Sequence, residues 1–165
     1  MHMNRNFGHT VVWLPEASIL QRLGLLHERY IVTDSDLDLS GVPDDFLAIM
    51  DGGLTMYPKY DKCGLSLEIK DLPNYPEGNF IRKHEAKYWN KPLDKNFFHA
   101  ETDTTFALYR EGVTEYSYSA IRCNRPYTAR HVPWYYKDFE SLSEEDKYYF
   151  RSANESSSGK IRLIK

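Results

Sequence analysis

Residues 30–38 read Tyr-Ile-Val-Thr-Asp-Ser-Asp-Leu-Asp, an apolar run rich in β-branched residues that breaks directly into three carboxylates at alternate positions. The run has the composition of a buried core strand, and the acids fall where that strand ends at a polar edge. In open α/β sheets the carboxyl ends of strands are where ligands sit. Two carboxylates close together in sequence, Asp34 and Asp36, can share one hard divalent cation and leave its other positions to water and phosphate oxygens. Asp and Ser also cap helices and form turns, and Pro43-Asp44-Asp45 just downstream has the look of a helix start, so spacing leaves a metal site and a capping turn both open. Position adds weight to the first, because a core strand seldom ends in three acids unless something neutralises them.

The rest of the chain alternates helical and strand patterns. Pro15 at a first turn, apolar Ile19, Leu20 and Leu23, and Gly24 as a stop predict a helix over residues 15–23. Phe46, Leu47, Met50 and Leu54 recur at helical spacing from about Asp44, with Gly52-Gly53 weakening the middle and Tyr57-Pro58 ending the run. Between Lys62 and Lys70, Cys63, Leu65, Leu67 and Ile69 alternate with polar residues, the pattern of one half-buried strand. After the proline-rich residues 71–76, a helix over 77–89 would place Phe80, Ile81, His84, Tyr88 and Trp89 on one core-facing stripe, with His84 as a satisfied core or edge histidine. Strand patterns follow at 97–100, 104–110, 116–123 and 127–130, and Ser143 with acids behind it starts a last helix. No internal repeat is found. The order predicts an α/β fold, a mixed sheet flanked by helices, in one domain spanning 1–165.

Length and composition narrow the classes. The chain has 165 residues, enough for one real core and too few for two ordinary domains. A net charge of −3 argues against a nucleic-acid footprint, no apolar run is long enough to span a bilayer, and the start lacks a signal-peptide core, all of which fits a cytoplasmic protein. Cys63 and Cys123 lack metal-ligand spacing and read as reduced thiols packed in the core.

Three polar clusters mark strand ends: Asp34/Asp36/Asp38, Glu101/Asp103 and Arg130/His131. If these ends converge, Asp34 and Asp36 can hold a divalent ion with His131 as a further ligand, and Asp103 remains free for proton transfer. Taken singly, Asp103 before Thr-Thr is as readily a turn acid, and His131 before Val-Pro a buried partner of a carbonyl.

Taken together, the Asn-x-Asn-x-Gly segment at residues 4–8, the Val-Thr-Asp-Ser-Asp strand end, Tyr57-Pro58-Lys59-Tyr60-Asp61-Lys62-Cys63-Gly64-Leu65, Ile69-Lys70-Asp71-Leu72-Pro73, residues 103–110 (Asp-Thr-Thr-Phe-Ala-Leu-Tyr-Arg) and residues 129–135 (Ala-Arg-His-Val-Pro-Trp-Tyr) resemble bacterial glycosyltransferases of the GT-A fold, over residues 4–151. The resemblance implies a GT-A-like sheet and a hexosyltransferase-type reaction that moves a sugar from a UDP- or GDP-linked donor to the hydroxyl of a carbohydrate acceptor. It implies Mn or Mg held by Asp34, Asp36 and His131, the nucleotide met by Asp34, Asn6 and Arg130, Asp103 as the base, and Trp134 and Tyr135 as rim aromatics for sugar faces. The chain starts where such domains have already completed a strand-helix-strand unit for the base. The expectation is therefore an N-terminally truncated form that binds its donor weakly unless a second copy or a partner chain supplies the missing strands. The alternatives are a catalytically inactive nucleotide- or sugar-binding module and a subunit completed by a partner chain.

Overall fold

The computed structural model describes residues 8–74, 76–136, 138–140 and 142–152. Its chain order is α1 (Ile19–Arg22), β1 (Tyr30–Thr33), β2 (Leu37–Asp38), α2 (Phe46–Met56), β3 (Lys62–Gly64), β4 (Ser66–Leu67), α3 (Pro76–Ala86), β5 (Phe97–His99), β6 (Phe106–Tyr109), β7 (Ala120–Cys123), β8 (Thr128–His131) and α4 (Glu144–Ser152). Two mixed sheets result, flanked by helices. The larger has the order β1-β6-β3-β7-β5, parallel only between β3 and β7. The smaller has the order β2-β8-β4, with β2 antiparallel and β4 parallel to β8. Among the described residues, no helix is long and apolar enough to cross a membrane.

Local signals set several boundaries. Gly24, at φ 71°, ends α1 as expected: the Gly24 amide donates to the Gln21 carbonyl and the Leu25 amide to the Leu20 carbonyl, so the left-handed residue closes the last turn. The helix itself is a single turn where residues 15–23 were expected. Ser18 is left-handed at φ 47° and its hydroxyl donates to the Pro15 carbonyl at 2.7 Å, so the first half of the segment closes as a turn. At α4, Ser143 accepts from the Asp146 amide at 3.0 Å as the cap its sequence predicts.

Three expectations are corrected. β1 is an edge strand with Ile31 40% exposed, where a buried core strand was expected. The single half-buried strand over 62–70 is two short strands in different sheets, and every residue from Lys62 to Leu67 is buried. The chain passes from one sheet to the other at Leu65 and is covered on both faces. The predicted stripe faces inward only in part: Ile81 packs half-buried against the main core and Tyr88 and Trp89 are half-buried, but Phe80 is 72% exposed and His84 is exposed, while Glu85 is 5% exposed.

The main core joins Met50 and Leu54 of α2 to Cys63, Leu65, Leu67, Phe97, Phe106, Leu108, Ile121 and Cys123 from both sheets. Cys63 and Cys123 are fully buried free thiols with their sulfurs 3.8 Å apart, packed in the core as expected. The glycine pair of α2 splits into two roles. A Cβ on Gly53 would lie 2.6 Å from Phe97 Cζ and 3.1 Å from Ile121 Cδ1, whereas one on Gly52 would meet nothing within 4 Å. Gly53→Ala is expected to lose about 1–2 kcal/mol, overpacking outweighing the helix-propensity gain of about 1 kcal/mol. Gly52→Ala is expected to gain up to about 1 kcal/mol from propensity alone. Urea unfolding of both variants checks the pair, and equal effects would show that Phe97 does not set the distance of α2 from the sheet.

Candidate metal and substrate site

The site forms where the two sheets meet. At the end of β1 the Thr33 hydroxyl and the Asp34 amide both donate to the Thr105 carbonyl, at 2.9 and 3.0 Å, tying the strand to the residues just before β6. Asp34 Oδ1 accepts the Thr104 hydroxyl at 2.9 Å, which fixes the direction of its carboxylate. The chain then crosses into β2, where Leu37 pairs with His131 and the Asp36 carbonyl accepts the Val132 amide at 2.9 Å. That register carries the imidazole from far downstream to the first acids: His131 Nε2 lies 3.6 Å from Asp36 Oδ2.

Asp34, Asp36 and His131 each place one ligand atom within 4.8 Å of the others, so this group can hold a metal ion. Two observations show that the residues fit one. Asp36 Oδ1 and His131 Nδ1 are buried and have no hydrogen-bond partner among the described residues, a state that buried polar atoms rarely keep. Burial also lifts the Asp34 carboxyl to about 6, with the Asp103 and Asp36 charges adding to it against the Thr104 hydrogen bond. Burial likewise lowers His131 against the pull of Asp36 and Asp103, which keeps the imidazole neutral, the form that ligates.

Beside the group lies a cavity of about 230 Å³ lined by Asp34, His131 and Trp134 and by Glu101, Thr102, Asp103, Tyr116 and Tyr118, with Glu85, Tyr88 and Arg122 on the α3 side. The convergence expected of Asp34, Asp103 and His131 is therefore present. Asp103 is a turn acid and a cavity acid at once: its Oδ1 accepts the Thr105 amide at 3.0 Å and the Thr105 hydroxyl. Burial alone would raise its carboxyl, but those bonds and the charges of Arg122 and Lys62 hold it below the usual range, so it stays ionised.

Arg130 and Tyr135 do not line the cavity. Arg130 follows the strand alternation away from His131 and donates from Nε to Asp71 Oδ2 at 2.7 Å, with Asp38 at 3.8 Å. This pairing occupies the guanidinium that the sequence offered to a phosphate. The Tyr135 hydroxyl also donates to Asp71, at 2.7 Å, and Asp38 closes a turn by accepting the Ser40 amide. Asn6 lies outside the described residues. Trp134 does line the cavity, its ring 4.9 Å from that of His131.

Sequence reading missed the buried cations. Arg122, 3% exposed, donates from Nη1 to Glu85 Oε2 at 3.0 Å and from Nε to the Glu101 carbonyl at 2.6 Å, with its guanidinium 4.1 Å from the centre of the Tyr88 ring. Lys62, with no exposed surface, donates to the Tyr109 hydroxyl at 3.0 Å and the Asp103 carbonyl at 3.2 Å, and burial brings its ammonium down to about 8. The two cations thus grip the backbone of the segment that carries Asp103. The available signal was a charged residue inside an apolar run, Ala120-Ile121-Arg122-Cys123.

Fold and site together define a mixed α/β protein with an Asp-Asp-His group, able to hold a metal ion, beside an acid- and tyrosine-lined cavity. Compared with family models, curated proteins and solved structures, the chain finds no match.

Proposed function

We propose that the protein is a metal-dependent glycosyltransferase, with Mn or Mg held by Asp34, Asp36 and His131 and a nucleotide-diphosphate sugar as donor. The observation that carries this reading is the meeting of two acids and an imidazole, from segments far apart in sequence, beside a cavity that also holds an ionised carboxylate. A divalent ion there would supply positive charge to the diphosphate that leaves when the glycosidic bond breaks. Carboxylates with one imidazole suit hard ions such as Mn and Mg.

The chain's own groups would do the rest. Thr104 sets the Asp34 carboxylate, and Thr105 sets Asp103 by holding its Oδ1. Oδ2 of Asp103 is then the atom left to take the proton of an acceptor hydroxyl as that oxygen attacks the sugar carbon. Trp134 and the tyrosines shut water out of one side and offer faces to sugar rings.

Calorimetric titration of the full chain with Mn, and then with UDP and GDP each with and without Mn, tests the reading. The expected result is Mn binding together with one nucleotide whose binding depends on Mn. Absence of heat in every combination overturns it.

A further inference from the structure

We infer that the cavity is the acceptor subsite and selects by charge: it takes one neutral or ammonium-bearing sugar ring and rejects rings that carry a carboxylate. The inference rests on the glycosyl-transfer reading and names its acceptor class.

Size sets the first limit. About 230 Å³ lies below the roughly 300–1,000 Å³ of sites for drug-sized ligands and matches a single pyranose ring. The walls supply what such a ring needs. Tyr116 and Tyr118 offer aromatic surface, and Tyr118 is 66% exposed, at the mouth. Thr102 lines the cavity at 2% exposure with its side chain packed against Gly64, which keeps that wall in place. Arg122, tied to Glu85 and the Glu101 carbonyl and stacked on Tyr88, fixes the wall, and the Glu101 and Asp103 carboxylates offer acceptors to ring hydroxyls.

Charge sets the second limit. Among the described residues, Asp34, Glu85, Glu101 and Asp103 line the cavity and Asp36 adjoins it, against Arg122 in the lining and Lys62 behind Asp103. Arg122 is committed to Glu85, and Lys62 to the Asp103 carbonyl and Tyr109. Set against these five carboxylates, the two cations and a bound divalent ion still leave the surroundings net negative. An anionic ring therefore meets like charge with no uncommitted cation among the described residues to pair with. An ammonium meets Glu101, which makes no ion pair among the described residues, and the faces of the tyrosines.

The test uses the full chain without metal or nucleotide, so that it is independent of the titration above. Methyl glycosides in gluco, galacto and manno configuration, each as the neutral sugar, the amino sugar and the uronic acid, are followed by saturation-transfer NMR and calorimetry. At least one neutral glycoside is expected to bind in the millimolar range. Its amino counterpart should bind about three- to tenfold tighter and its uronic counterpart at least about tenfold weaker, the range that partly exposed to desolvated charge contacts give. Glu101→Gln should narrow the gap between amino and uronic forms, and Tyr118→Ala should weaken all three alike. A uronic glycoside that binds as well as its neutral partner, or a gap unchanged by Glu101→Gln, overturns the selection. A panel with no binder at tens of millimolar overturns the subsite, while Mn-dependent nucleotide binding then decides separately whether the transferase reading stands.

Discussion

Asp36→Asn is expected to weaken Mn binding about 100-fold or more and to remove the thermal stabilisation that Mn gives the unaltered chain. Loss of groups that merely orient ligands already costs about 10–100-fold in metal affinity, and an amide at Asp36 loses a ligand charge as well. At a Mn concentration about 100 times its Kd, the unaltered chain should gain about 2.7 kcal/mol, which for a domain of this size raises Tm by roughly 5–11 °C. The variant at the same concentration should rise by about 1 °C. Without metal the substitution should leave Tm nearly unchanged or slightly higher, since it removes one of the charges crowding Asp34. The Asp34 carboxyl at about 6 is raised, so the folded chain holds that proton more tightly than the unfolded chain does. Its contribution to stability is full below about pH 4 and is lost as pH climbs through about 6. A metal ion competes with the same proton, so Mn-induced stabilisation at pH 5 should be about half of that at pH 7.5. Scanning calorimetry of both chains at the two pH values reads all of this, and an equal Mn-induced rise in the variant would remove Asp36 from the site.

The site was legible in sequence to the extent that its parts are local. A β-branched run ending in acids announces both β1 and the carboxylates, and Gly24 and Ser143 announce the ends of helices, because each signal acts over a few residues of backbone. That His131 reaches Asp36 depends on the β2–β8 pairing, which joins segments more than ninety residues apart and leaves no periodic trace. Alternation misled at residues 62–70 for a related reason. The polar positions Lys62 and Ser66 looked solvent-facing, but Lys62 is enclosed by the rings of Tyr109 and Tyr116, at 5.0 and 4.8 Å, and Ser66 donates to the Cys123 carbonyl at 2.6 Å. Polarity at alternate positions reports exposure only where no second layer supplies partners. The helix stripe departs from expectation at Phe80 for the same cause: Glu85 turns inward because a buried guanidinium awaits it, and Phe80 is left outside while Ile81 keeps its place against the core.

That guanidinium gives the second large effect. Arg122→Met is expected to cost about 3–5 kcal/mol, because it leaves Glu85 buried without its counter-charge and frees the Glu101 carbonyl inside the wall of the cavity. Burial already pushes the Glu85 carboxyl upward against the pull of Arg122, so the lone acid should take up a proton at neutral pH and blunt part of the loss. Glu85→Leu should cost a similar amount for the opposite reason, an unpaired cation under Tyr88. The double variant Arg122→Met/Glu85→Leu removes both charges together and should recover most of the stability, since a buried ion pair replaced by apolar groups of similar volume is often neutral. Urea unfolding of the four chains gives the coupling energy directly. Recovery of stability without recovery of glycoside binding would separate the two duties of Arg122, holding α3 against β7 and holding the Glu101-Thr102-Asp103 segment in place. Single variants that each lose less than about 1 kcal/mol would show that the pair is solvated, and the wall of the cavity it anchors would then have to be held by Lys62 alone.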